Sequence, residues 1–131
     1  MGRLVVDASA LIDYLTAGAQ RPRFSEHLRS NDLHVPEVCD VEVVSGFRRA
    51  MFGGFLAPRA MELLLIDYAE LPLRRHRHLP LVGRAFDLRD NFATADAMYV
   101  ALAERLHAAL LTSDQRLARA TRRHTSVAIL R

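Results

Sequence analysis

The sequence predicts an α/β fold of three layers, with a central parallel sheet of four to five short strands and helices on both faces. Three observations carry this. Short, mostly apolar stretches of strand length recur along the chain, at residues 4–6, 33–35 and 108–111 among others. Segments with apolar residues at helical spacing separate them. The β-α order then repeats to the end of the chain, and such alternation favours a parallel sheet whose sites gather beyond the carboxyl ends of the strands.

Taken in order, Leu4, Val5 and Val6 form a strand that runs through Asp7 into a helix over 8–15, with Leu11, Ile12 and Leu15 as its stripe and a stop near Gly18. A short helix follows over 24–28 and a strand over 33–35, with Pro36 placed at a helix start. Residues 37–52 read as helix, ended by Gly53 and Gly54. A helix over 57–68 carries Pro58 in its first turn. Leu71 to Leu73 make a strand before the basic run "RRHRH", and 79–88 resume helical spacing. Thr94 caps a helix whose body, 95–103, is apolar nearly all round and must therefore lie deep. A strand over 108–111, a turn and cap at Thr112 to Asp114, a helix over 115–122 and a last strand over 127–130 complete the chain.

The length, 131 residues, suits a single domain over 1–131 that buries about two-thirds of its unfolded surface. Half the residues are hydrophobic and 25 % charged, which excludes a disordered or low-complexity chain. No apolar stretch approaches the roughly 20 residues of a membrane span, and no signal peptide pattern opens the chain, so a cytoplasmic protein is expected. The single cysteine, Cys39, has neither a disulfide partner nor companions for a zinc site, and reads as a small core residue. All 18 basic residues are arginine, giving a formal charge of +3. Guanidinium suits phosphate binding, and a GC-rich genome produces the same bias.

Four carboxylates stand in awkward places. Asp7 follows the first strand and Asp114 the strand over 108–111, so a parallel sheet brings both to one edge. Each has two readings, as a helix cap or as part of a site. Asp96, in the first turn after Thr94, either complements the helix dipole or joins the others. Glu42 sits in mid-helix, with Ser45 and Gly46 where a structural ion pair would need a basic partner. Its face is Cys39, Ser45, Gly46 and, two turns on, Arg49. At about 5 Å and an effective dielectric near 20, each pair of such acids repels by roughly 3 kcal/mol, so four together must bind cations or protons. Oxygen donors without cysteine suit Mg2+ or Mn2+. His76 and His78, two apart on a strand, share a face, but flanking arginines repel a cation and favour a solvated or RNA-facing edge.

The blocks "VVDASAL", "EVVSGFRR", "RDNFATADAMYVALAERL" and "LLTSDQRLARA" resemble, in order and over nearly the whole chain, the motifs of PIN-domain ribonucleases, in the VapC branch of toxin and antitoxin pairs. The resemblance implies a PIN-like fold and an acidic quartet of Asp7, Glu42, Asp96 and Asp114 holding Mg2+ or Mn2+. It implies supporting hydroxyls at Ser9, Thr112 and Ser113. It further implies metal-assisted hydrolysis of RNA, often transfer or ribosomal RNA, in a homodimer restrained by a VapB antitoxin. Arg48, Arg49, Arg74, Arg75 and Arg77 are candidates for RNA phosphate contact, or solvated surface. The stretch from Phe52 to Pro58 matches no family motif, and its phenylalanines read equally as antitoxin groove or helix packing.

Other folds also place aspartates beyond parallel strands and bind Mg2+. Response-regulator receivers and haloacid-type phosphatases rely on a lysine, as does a Walker A loop, and this chain has none. A module that keeps the scaffold and only binds RNA or a partner is the alternative from another class.

Overall fold

The computed structural model describes residues 2–17 and 22–130. Leu4, Val5 and Val6 are buried on both faces of β1 (Arg3–Val6), as a central parallel strand requires. It is followed by α1 (Ala8–Ala17), α2 (Pro22–Ser30), β2 (Asp32–Pro36), α3 (Val38–Phe52) and α4 (Pro58–Glu70). Then come β3 (Leu73–His76), a 3-10 turn at Leu79–Leu81, α5 (Val82–Asp87), α6 (Thr94–Leu106), β4 (Ala109–Leu111), α7 (Gln115–His124) and β5 (Ile129–Leu130). The expected end of α1 near Gly18 lies outside the described residues.

The five strands form one parallel sheet in the order β3-β2-β1-β4-β5, the middle of a three-layer α/β/α arrangement. The chain builds outward from β1 to β3, then crosses back to start the other half at β4. Between β1 and β4 the order reverses, and side chains beyond their carboxyl ends face a common crevice. One further hydrogen bond, from the Asp7 N–H to the Leu111 carbonyl at 2.9 Å, carries this pairing past Val6 and holds Asp7 at the crevice.

Deep burial of α6 follows from its composition. Ala97, Tyr99, Val100, Ala101, Leu102 and Ala103 are all buried, and the helix packs on β1, β2 and β4. On α3, the buried residues Cys39, Val43 and Phe47 define the inner face, and this helix packs on α1.

Three local expectations change. The strand placed at Leu71–Leu73 lies instead at Leu73–His76, because this is an edge strand paired to β2 alone and tolerates outward arginines. Thr94 is the first residue of α6 rather than its cap; Ala93 precedes the helix without a side-chain cap. The histidines of "RRHRH" do not share a solvated face. His76 Nε2 meets Nδ1 of the buried His34 at 2.9 Å, and His78, past the strand end, accepts the Val38 N–H at 2.9 Å. His78 thereby satisfies an orphan donor at the start of α3, which Glu37 leaves without a side-chain bond.

Candidate active site

Asp7, Glu42, Asp96 and Asp114 line one cavity of about 400 Å³ at the crevice, together with Ser9, Ile12, Asp13, Gly46, Arg49 and Arg116. The acids arrive from the end of β1, the middle of α3, the first turn of α6 and the cap of α7.

Asp7 is the best-held of the four. Its Oδ2 accepts from Ser9 Oγ at 2.5 Å and Thr112 Oγ1 at 2.8 Å. Each hydroxyl has one proton, and each spends its lone pairs on backbone: Ser9 accepts the Ser113 N–H and Thr112 the Asp114 N–H. The result ties the end of β1 to the turn after β4. Ser113 contributes backbone only, since its own Oγ is buried without a partner among the described residues.

Asp114 caps α7, its Oδ1 accepting the N–H groups of Arg116 and Leu117. It does so while still lining the cavity, so the cap and the site share one side chain. Asp96 meets Arg116 at 3.3 Å, and the same guanidinium reaches Asp114 Oδ2 at 3.5 Å. Glu42 has no such ion pair, and its Oε1 is buried without a hydrogen-bond partner among the described residues.

The electrostatics match the crowding. Burial raises the pKa of Asp7, against the hydrogen bonds from Ser9 and Thr112, and the Asp114 charge adds to the rise. Glu42 is raised by burial first, then by Asp7 and Asp96, while Tyr99 and Arg49 pull it down. Asp96 is likewise raised by burial, then by Asp7 and Asp114, with Arg116 opposing. Asp7 acts on each of the other two raised acids.

Among the described residues no three His, Cys, Asp or Glu side chains stand grouped so as to hold a metal ion. The donors nevertheless fit a hard divalent cation. They are all oxygen, they repel one another, and one buried oxygen of Glu42 lacks a partner. Mg2+ keeps several waters and needs one or two carboxylates rather than a full protein cage.

Gly46 does more than leave room. A Cβ there would lie 2.4 Å from Ile12 Cδ1, so glycine lets α1 approach α3 beside the acids. Of the arginine candidates, Arg49 lines the cavity, whereas Arg48, Arg74, Arg75 and Arg77 are not among its lining residues. Arg48 stacks 4.8 Å over the Phe52 ring, and Arg75 pairs with Asp40 at 2.9 Å. Phe52 and Phe55 are both exposed, which removes helix packing as their role. Sequence reading missed Arg116, although a basic residue in the first turn of a helix opposes the helix dipole and so asks for a local anion. It also missed Asp13, one helical turn from Ser9, which lines the same cavity.

Comparison with known proteins decides the family. The PIN domain model matches residues 4–123, nearly the whole chain. The chain belongs to the PIN-domain family, in its VapC branch. Ribonuclease VapC12 of Mycobacterium tuberculosis is 34% identical over 115 residues, covering 88% of this chain and 89% of that protein. Ribonuclease VapC3 of the same organism is 36% identical over 119 residues, covering 90% and 87%. The fold is that of VapBC2 from Rickettsia felis, solved with a DNA fragment from its promoter, with a TM-score of 0.70 over 98% of this chain and 97% of that one at 9% identity. Membership in the VapC branch places the chain among hydrolase-type nucleases that use divalent metal ions. Among the described residues, no helix of this VapC-type PIN domain is long and apolar enough to cross a membrane.

Proposed function

We propose that this VapC-type protein, a single PIN domain, is an endoribonuclease toxin that hydrolyses phosphodiester bonds in RNA, with transfer or ribosomal RNA as substrate. The convergence of four carboxylates from distant parts of the chain on one cavity carries the reading. Asp7, Glu42 and Asp96 would hold the principal Mg2+ or Mn2+, with Asp114 assisting. A divalent ion bound there supplies an activated water and offsets charge on the phosphate.

The chain's own residues do the rest. Ser9 and Thr112 fix the Asp7 carboxylate by donating to one of its oxygens, and so orient it before any ion arrives. Arg49 and Arg116, both exposed at the cavity wall, hold the RNA phosphate against the acids, with Arg116 leaving its carboxylate partners to do so. Strong attraction of RNA to these arginines falls with salt.

The VapB-type antitoxin, a cytoplasmic location and a homodimer complete the proposal. VapC12 and VapC3 are named ribonucleases, and VapBC2 is a toxin with its antitoxin, which supports both the activity and the partner. Incubation of purified protein with RNA and Mn2+, beside an Asp96→Asn variant, tests the activity. Cleavage by the native chain and loss in the variant is expected. Equal cleavage by both would mean contamination, and none by either, across many RNAs, would leave a binding module.

A further inference from the structure

We propose that the exposed arginines of α7, Arg119, Arg122 and Arg123, extend the cavity wall at Arg116 into a phosphate track along which single-stranded RNA passes the acidic crevice. The proposal rests on the nuclease reading above for the identity of the polyanion, and adds the surface that holds it.

The helix buries Leu117, Ala118 and Thr121 and turns all four of its arginines outward. Arg116, Arg119 and Arg123 stand at i, i+3 and i+7, so they form one row on the helix surface, with Arg122 beside it. The row starts at the acids, since Arg116 lines the cavity and lies 3.3 Å from Asp96. Seven residues of helix then carry it about 10 Å from the crevice.

This face differs from an ordinary solvated one. The outward faces of α2 and α4 mix signs: Glu26 stands between Arg23 and Arg29, and Arg59 pairs with Glu62 at 3.0 Å. No acid lies in α7, and among the described residues Arg119, Arg122 and Arg123 form no ion pair. Like charges at these spacings work against the helix. The helix dipole accounts for Arg122 and Arg123, in the last turn, but not for Arg116 or Arg119. After Asp114 the chain has Arg116, Arg119, Arg122, Arg123 and Arg131 and no acid, so its formal +3 comes from this end and the first 114 residues are net negative.

The chemistry of the row selects its ligand. None of the large exposed hydrophobic side chains lies in α7. A protein interface is anchored by an apolar or aromatic centre, and a membrane-surface helix needs an apolar face toward the lipid. A nucleic acid backbone needs neither, because neutralising its phosphates releases counterions and that alone supplies affinity. Guanidinium groups also grip phosphate oxygens in pairs.

The test is binding of a fluorescein-labelled single-stranded RNA, read by anisotropy without divalent ions so that nothing is cleaved, from about 0.05 to 0.3 M salt. It compares the native chain with the triple variant Arg119→Ala, Arg122→Ala, Arg123→Ala, which leaves Arg116 and the cavity untouched. Alanine favours helix, and melting midpoints check that each protein folds. Binding about 10- to 100-fold weaker at 0.1 M salt is expected, with the log-log salt slope shallower by about 2, or about 0.7 for each lost phosphate contact. A second triple variant, Arg29→Ala, Arg59→Ala, Arg105→Ala, removes the same charge elsewhere and should lose less than about threefold, since exposed charges beyond about 10 Å are screened. Affinity within twofold of native and an unchanged slope in the α7 variant would overturn the proposal, as would equal losses in both variants, which mark net charge alone. Unchanged RNA binding with weakened binding of a poly-glutamate peptide would overturn it in favour of an acidic protein partner. Cleavage of RNA with Mn2+, followed in parallel, separates the two readings: loss of binding in the α7 variant while the native chain cleaves no RNA would overturn the nuclease reading and keep the track, whereas native cleavage with normal binding by the variant would overturn the track alone.

Discussion

Thr112 Oγ1 donates to Asp7 Oδ2 at 2.8 Å across 105 positions of sequence, and accepts the Asp114 N–H at 3.0 Å. One buried hydroxyl thus joins two of the four acids through a donor and an acceptor role it cannot exchange. Thr112→Val keeps the shape and removes both bonds. It should destabilise the protein by about 1–3 kcal/mol, the cost of leaving buried polar groups unpaired, whereas Thr112→Ser should lose less than about 1 kcal/mol. Urea denaturation of the three proteins measures this, and equal stability of valine and threonine would contradict the described geometry.

Glu42 is a partly buried carboxylate with like-charged neighbours and no ion pair among the described residues, an arrangement that costs the metal-free protein stability. Glu42→Gln should raise the metal-free stability by about 1 kcal/mol, or roughly 3–5 °C in Tm. The same variant should lose most of the stabilisation that Mn2+ confers on the native chain. Thermal melts with and without Mn2+ give both numbers. A lower metal-free Tm would show that the carboxylate is a structural asset.

Arg116 occupies the carboxylates that a cation would use, at 3.3 Å from Asp96 and 3.5 Å from Asp114. Its guanidinium is well exposed, so the effect is moderate and screened by salt. Arg116→Ala should tighten Mn2+ binding about two- to fivefold at low ionic strength and by less at 0.5 M salt. Calorimetry checks it. Should RNA phosphate also need Arg116, KM for RNA rises in the same variant.

The His34–His76 contact of 2.9 Å needs at least one neutral ring, since two imidazolium groups would face donor to donor. Both rings are held below the usual histidine range. For His34 the causes are burial, then His76, Arg74 and Arg3, with Asp32 opposing; for His76 they are burial, then Arg105 and Arg74. Between the lowered folded values and about 6.5 the unfolded chain binds more protons, so stability rises with pH. It is fully present above about pH 6.5 and is lost as pH falls below that. Lowering the pH from 7.5 to 5.5 should reduce Tm by about 2–5 °C, and a His34→Gln, His76→Gln double variant should flatten that slope. The buried site acids act with the opposite sign, which is why the variant is needed as the reference.

Periodicity and composition made most of the fold legible. The apolar run at Leu4 to Val6, the all-round apolar body of α6 and the repeated β-α order are local signals, and they dictated a parallel sheet with Asp7 and Asp114 at one edge. Glu42 was legible for the opposite reason, as a mid-helix charge with no partner in reach along its own helix. The edge strand was misplaced because Leu73–His76 carries arginines outward, and a half-exposed strand has no apolar pattern to announce it.

What chain order by itself determined, then, is which side chains sit at which ends of which elements, because short-range spacing and the parallel rule are enough for that. Only the tertiary structure decided their partners. The hydroxyl clasp on Asp7, the Arg116 bridge to Asp96 and the imidazole of His78 at the start of α3 each join groups from different elements. Hydrogen bonds and ion pairs act over about 3 Å, and no periodicity within one element specifies a distance to another.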